Sequence, residues 1–484
     1  MSTTTTGFIG PARYGPIDIE PDILTGLGEF ERVYGDRQQL KFGATTMHNY
    51  LWHAVRSFFE EGGKRLYVVR VFKPLTDPYP PSDFDTATLN SDNLYDDGHA
   101  RVSFPSGGGA NVIRVRARFP GAAGNTRVRF TVRLGQNILG GTRGKATIGA
   151  VSNDDVVWIN DVTSPISSPP GVGSLYLAEF DKNEQTWRFK ISKATADSDF
   201  RLNHSDLARA LDPAGGFQVR VVTITVTVFQ SDGPTLVWEG LPPDPDHQRD
   251  GEKDSLASKF AVKPGNLAQE RTLPIVITAG SGVTTGLDWL NALFAAKPAL
   301  HVELEDPKSS DADRSVDREL TGGNDGLRPE ADEYRGKAEE DANNKTGLMA
   351  FEDIEDISIV AAPGSTFGLE AGYRENATSI VNLLFSHAER MRYRIAVLDS
   401  GNGQNIAQVR AMRAKMDSKY AALYYPWIKV LDPVTRSEIP LPPSGFVAGI
   451  YARNDINRAV YKAPANEVVN GRSEERRVGK ECRL

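Results

Sequence analysis

Leu51, Ala54, Val55, Phe58 and Phe59 fall at i, i+3, i+4, i+7 and i+8, one apolar stripe that predicts a helix closed by Gly62-Gly63. The run that follows, Leu66–Phe72 (LYVVRVF), is almost unbroken, as in a strand buried on both faces. Upstream, Gly28–Tyr34 reads as a helix stopped by Gly35. Helix into buried strand through a short loop is an α/β unit. After the Pro-rich break Asp77–Asp83 the period changes to two. Ile113, Val115, Ala117 and Phe119 alternate with polar residues, and so do Val128, Phe130, Val132 and Leu134. Leu175–Ile191 reads as a hairpin, and Arg220–Val228 as a long β-branched strand. A second Pro-rich loop, Gly240–His247, closes this block.

The α/β alternation then resumes. Strands are predicted at Pro274–Thr278, Ile357–Gly364, Arg394–Asp399 and Tyr420–Tyr425. Helices are predicted at Leu287–Phe294, on the face Ile380, Leu383, Leu384, His387 and Met391, and on the face Ile406, Val409, Met412 and Met416. Strand–helix–strand–helix–strand implies a sheet with parallel neighbours. The expected fold is α/β (α+β overall): a split α/β core domain with a parallel-containing sheet, interrupted by an inserted β-rich domain. Residues 1–75 form the first part of the core, 76–265 the insertion, and 266–471 the second part. Within the last, 302–346 is expected to be an acidic surface loop.

Composition narrows the class. The chain has 484 residues with 39% apolar and 25% charged, enough for several cores. Its longest apolar runs are too short to span a bilayer, and no signal sequence opens it. One cysteine, Cys482, excludes an internal disulfide framework and multi-cysteine metal sites, as suits a reducing cytoplasm. The formal net charge is only −7, but it is unevenly placed. Residues 101–153 carry nine Arg/Lys and no acid, whereas 301–345 carry fourteen acids against seven bases. Two readings follow: head-to-tail attraction between copies, or two solvated faces.

Candidate chemistry reduces to near-misses. Gly140–Thr147 (GGTRGKAT) departs from the phosphate-loop spacing because Ala146 follows the lysine. Ser400–Asn405 (SGNGQN) sits between strand and helix but lacks the third glycine of a dinucleotide loop. Asp306, Asp311, Asp313 and Asp317 do not make a calcium loop, since Gly322 stands where the closing glutamate belongs. The seven histidines show no paired ligand spacing, and His387, on an apolar helix face, reads as a core residue. The arginines at 114, 116 and 118 lack the interleaved aromatics of a nucleic-acid surface. No catalytic, cofactor-binding or metal residue is assigned, and no enzyme is indicated.

Words of the frame resemble those of contractile tail sheath proteins, the family of phage tail sheaths and of sheaths of tail-like bacterial injection systems. Thr3–Gly35 resembles the start of the family's core domain, and Tyr50–Phe72 its next helix–strand pair. Leu320–Gly336 and Lys345–Gly364 are similar to its middle words, in order. The strongest stretches are Asp417–Pro433 and Ile439–Asn466, which includes PPSGFVAG and YARND. Within these words, Trp427, Arg453 and Asp455 read as core and loop support rather than a binding site.

The resemblance implies a structural subunit that polymerises around an inner tube and contracts to drive it through a target envelope, without cofactor. Implied partners are other sheath subunits, the inner tube protein, and baseplate and terminal cap proteins, with no nucleic acid and no membrane insertion. Assembly in the bacterial cytoplasm and residence in a phage tail or tail-like particle follow from the same likeness. Competing readings are a surface- or carbohydrate-binding module on the β-rich domain, and an enzyme using the Ser400–Asn405 turn. Two departures are noted. The family's N-terminal arm and the stretch after KAPAN have no counterpart, so the expectation is a chain truncated at both ends that forms no regular tube alone. Arg472–Leu484 has eight charges in thirteen residues and reads as an adapter or vector remnant, with a native charged tail as the alternative.

Overall fold

The computed structural model describes residues 3–75, 97–161, 173–194, 199–203, 210–211, 213–230, 233–338, 345–432, 434–458, 460 and 462–470. Arg472–Leu484 and the Asp77–Asp83 break therefore lie outside the described residues.

The frame is a six-stranded sheet in the order Ile23–Leu24, Arg65–Arg70, Thr5–Gly10, Ile359–Ala361, Ile395–Asp399, Ala421–Tyr424. All neighbours are parallel except the two-residue edge strand Ile23–Leu24. Alternate residues feed two cores, as a strand covered on both faces requires. Phe8, Val68, Ile359 and Val397 face the helices Leu27–Tyr34, Tyr50–Glu60 and Ser444–Asn457. Ile9, Val69, Val360 and Leu398 face the helix Arg374–Met391. Asn49 starts helix Tyr50–Glu60 by accepting the Trp52 N–H at 3.1 Å, an N-cap at the predicted boundary.

Helix Ser444–Asn457 crosses Tyr50–Glu60 at close range because Gly445 and Gly449 stand at the crossing. A Cβ on Gly445 would lie 2.6 Å from Ala54 Cα, and one on Gly449 2.6 Å from the Phe58 carbonyl oxygen. The small residues of PPSGFVAG thus let two backbones touch.

The β-rich part is an antiparallel sheet ordered Phe200–Arg201, Thr186–Lys190, Ser174–Asp181, Val156–Asp161, Phe217–Phe229, Arg127–Asn137, Ser315–Glu319, with Thr235–Leu241 also on Phe217–Phe229. A second sheet, Arg101–Phe104, Ile113–Ala117 and Ile275–Ala279, packs over it. Phe130, Val132, Val222, Ile224 and Val226 meet Phe104, Ile113 and Val115 there, with Trp289 and Leu293 of helix Gly286–Ala296.

Two expectations need correction. Ile275–Ala279, assigned to the frame, pairs antiparallel with Ile113–Ala117. The stretch 302–346 is not simply a loop: Ser315–Glu319 is a strand on Arg127–Asn137, and Ala331–Arg335 is a helix. Strand pairing joins segments nearly two hundred residues apart, and no local pattern records the partner. The acidic stretch was polar because its strand is the sheet's outer edge, facing the arginines of its neighbour.

Candidate functional site

The charge complementarity legible in the sequence is consumed largely within the molecule. Asp317 sits directly opposite Arg129, with Oδ1 and Oδ2 at 3.0 and 2.7 Å from the guanidinium, and also meets Arg127 at 3.3 Å. Arg133 reaches Asp311 at 3.0 Å. Arg118 is buried and donates to the carbonyls of Leu273, Val262, Ala261 and Ile275 at 3.0–3.3 Å. Arg114 is buried as well and bonds the Gly109 carbonyl. The arginine ladder is therefore scaffold and not an exposed anion-binding strip. Asp306, Asp311, Asp313 and Asp317 hold arginines and turns, and among the described residues no group of three or more His, Cys, Asp or Glu could hold a metal.

The turn Ser400–Asn405 is closed by its own surroundings. The Ser400 carbonyl accepts from Trp427 Nε1 at 2.7 Å and from Thr366 Oγ1 at 2.9 Å. Asn402 accepts from the Gly368 N–H, and Gln404 from the Gly401 N–H. Asp399, just before it, caps helix Ser444–Asn457 by accepting the Ser444 N–H at 2.8 Å and its hydroxyl at 2.6 Å. Burial pushes this carboxyl up to about 7 against those two bonds. His387 is buried, 2.7 Å from Arg394, and burial followed by Arg394 lowers it to about 3.

Trp427 packs edge-on to Tyr50, and Arg453 bonds the buried Glu61 at 2.7 Å. Glu61 also accepts from the backbone and side chain of Asn470, which ties the end of the described chain to the frame. Asp455 is raised by burial, with a Thr3 hydrogen bond opposing. These three positions are thus support residues. Glu61 and Asp325 were not singled out from sequence, and both are joints. Asp325 accepts from Lys41 N–H on the frame and Ala122 N–H on the β-rich part, each at 2.9 Å. Its place within the word TGGNDGLRPE was the available signal.

What remains open is a surface between residues 406 and 470. Ala421–Tyr424 ends the parallel sheet with no strand on its outer side among the described residues. Tyr420 and Tyr424 carbonyls accept from Ala396 and Ser400, so alternation turns the N–H and C=O of Ala421 and Leu423 outward. Beside it, Ile428–Leu431 and Glu438–Leu441 form a two-stranded ribbon, with Val430, Ile439 and Leu441 inward and Leu431 59% exposed. Two strands of four residues are marginal unless packed or extended by further strands. Helix Ile406–Arg413 has no buried residue. Six of the twelve large apolar side chains exposed among the described residues lie here: Ile406, Tyr425, Leu431, Ile456, Val460 and Val468. Unpaired strand edges with apolar neighbours are the physical signature of a docking surface. A groove of about 560 Å³ lies between Ser174, Ser192, Thr285 and His301, but Lys193 and Asp288 on its rim are already paired internally.

Residues 340–474 match the family model described as the phage tail sheath protein central domain. Among solved structures, the chain is similar to a chain of the anti-feeding prophage baseplate, 29% identical over 31% of this chain and 36% of that one, with a TM-score of 0.20. It is similar to the anti-feeding prophage helical sheath in its contracted state at 27% identity, over 32% of this chain and 38% of that one, TM-score 0.21. A sheath tail protein from Listeria innocua aligns over 96% of this chain and 57% of that one, at 9% identity and a TM-score of 0.36. The chain thus spans 36–38% of the length of the two prophage chains it matches. No curated protein matches it.

Proposed function

We propose that this chain, which carries the phage tail sheath central domain over residues 340–474, is a structural, non-enzymatic subunit of a contractile tail sheath. Copies polymerise around an inner tube and contract to drive it through a target envelope, in a phage tail or tail-like particle assembled in the bacterial cytoplasm. Baseplate and cap proteins bound the assembly at its two ends. The observation that carries the reading is a coincidence of place. The family match covers the open edge Ala421–Tyr424, the ribbon beside it and all six exposed apolar side chains. A subunit that must stay attached while it moves is served by strand addition, since main-chain bonds persist while bodies rotate about the shared strand.

The division into units follows the sheets in this reading. The frame comprises 1–75 and roughly 321–470, and the β-rich unit takes the sequence between, through strand Ser315–Glu319 rather than stopping at 265. Antibody labelling in the electron microscope tests the assignment, applied to particles sedimented from lysed source cells. Label along the whole length of straight tubes, which shorten and widen on contraction, is the expected result. Label confined to discrete particles, or retention on glycan resin without tubes, refutes it in favour of a binding module.

A further inference from the structure

The second Pro-rich loop encloses a polar knot that none of the roles above requires. His247 is buried, and its two ring nitrogens face two carboxylates: Nδ1 lies 2.5 Å from Asp254 Oδ1 and Nε2 3.3 Å from Asp155 Oδ1. A neutral imidazole has one N–H, so one of these contacts would set two lone pairs against each other. With both carboxyls ionised, only the imidazolium, with two donors, satisfies both.

The knot joins separate elements. Asp155 precedes strand Val156–Asp161 of the large sheet, and Asp254 precedes the short helix Leu256–Lys259. On the histidine's own loop, buried Asp244 accepts the Gly286 N–H at 2.8 Å, where helix Gly286–Ala296 begins. The charged groups nearby are Asp154 and Asp155 from one side, Asp244 and Asp246 on its loop, and Arg249, Lys253 and Asp254 following it. Lys193 reaches in from beyond strand Thr186–Lys190, and it sits 2.5 Å from Asp246 and 3.5 Å from Asp244. Arg249 meets Asp254, and Lys253 meets Asp246.

We propose that His247 is a pH-responsive clasp that fastens the Gly240–His247 loop to the large sheet while protonated and lets it loosen on deprotonation. The electrostatics agree in direction. His247 is raised above the ordinary imidazole value, chiefly by its hydrogen bond to Asp155 and against burial, with Asp254 adding to the rise. Burial is the first cause of the opposite shift at His53, His99, His301 and His387. A raised folded value means that the clasp contributes fully below about 6.5, the unfolded value, and is lost as pH rises through the folded one.

The test is a titration of the histidine Cε1–H resonances in the folded chain, with His247→Gln assigning the signal. A midpoint above about 6.5 is expected, and Asp254→Asn should lower it. Hydrogen exchange of 240–256, normalised for intrinsic rate, should speed up across that midpoint in the wild type and show no such step in His247→Gln. A midpoint at or below 6.5, or one that Asp254→Asn leaves unmoved, overturns the proposal. Should His247→Gln not fold, the wild type and Asp254→Asn decide it between them.

Discussion

Gly445→Ala should destabilise the protein even though alanine is the better helix former. Glycine inside a helix costs about 1 kcal/mol relative to alanine, so local propensity predicts a gain. The structure predicts the reverse. The new Cβ would stand 2.6 Å from Ala54 Cα and 2.9 Å from its Cβ and carbonyl oxygen. Carbon atoms rest about 3.5–4.0 Å apart, so helix Ser444–Asn457 must retreat by roughly 1 Å from Tyr50–Glu60. The obstructing atoms belong to a helix backbone and cannot rotate aside, which puts the cost at the upper end of the usual 1–3 kcal/mol for overpacking, or beyond it. After the propensity gain, a net loss of about 2 kcal/mol remains. Gly28→Ala is the control, since Gly28 also lies in a helix but has nothing within 4 Å of its would-be Cβ. It should gain about 0.5 kcal/mol. Urea midpoints at unchanged slope measure both. If Gly445→Ala raises the midpoint as Gly28→Ala does, the helices are not in backbone contact and the reasoning fails.

Arg118→Met removes the donor to four carbonyls, and the orphaned groups should cost about 3 kcal/mol or more by denaturation, a loss below about 1 kcal/mol contradicting this. For Asp399, held up to about 7, the native state keeps a proton that the unfolded chain releases near 4, so stability falls as pH rises from about 4 through 7. Asp399→Asn should therefore gain on the wild type in melting temperature between pH 5 and 8, and a constant difference would count against a buried acid there. The partly buried pair Arg129 and Asp317 should show a coupling of about 0.5–1 kcal/mol in a double-mutant cycle. That coupling should shrink in high salt, and a salt-independent value would mean that charge is not its source.

The sequence carried the local order. A 3.6-residue stripe from Leu51 to Phe59 marked helix Tyr50–Glu60, and the unbroken run from Leu66 marked a strand with a core on each face. Such patterns are legible because a helix or strand writes its own period into neighbouring positions. The partnership of Ile275–Ala279 with Ile113–Ala117, and of Asp317 with Arg129, was not. Pairing across more than a hundred residues is chosen by the whole fold, which alone decides whether an arginine ladder faces solvent, an acid or a ring of carbonyls. The same holds for His247. Nothing in DPDHQRD tells an exposed histidine from one held between two carboxylates, because one of those carboxylates arrives from Asp155, just before a strand far earlier in the chain.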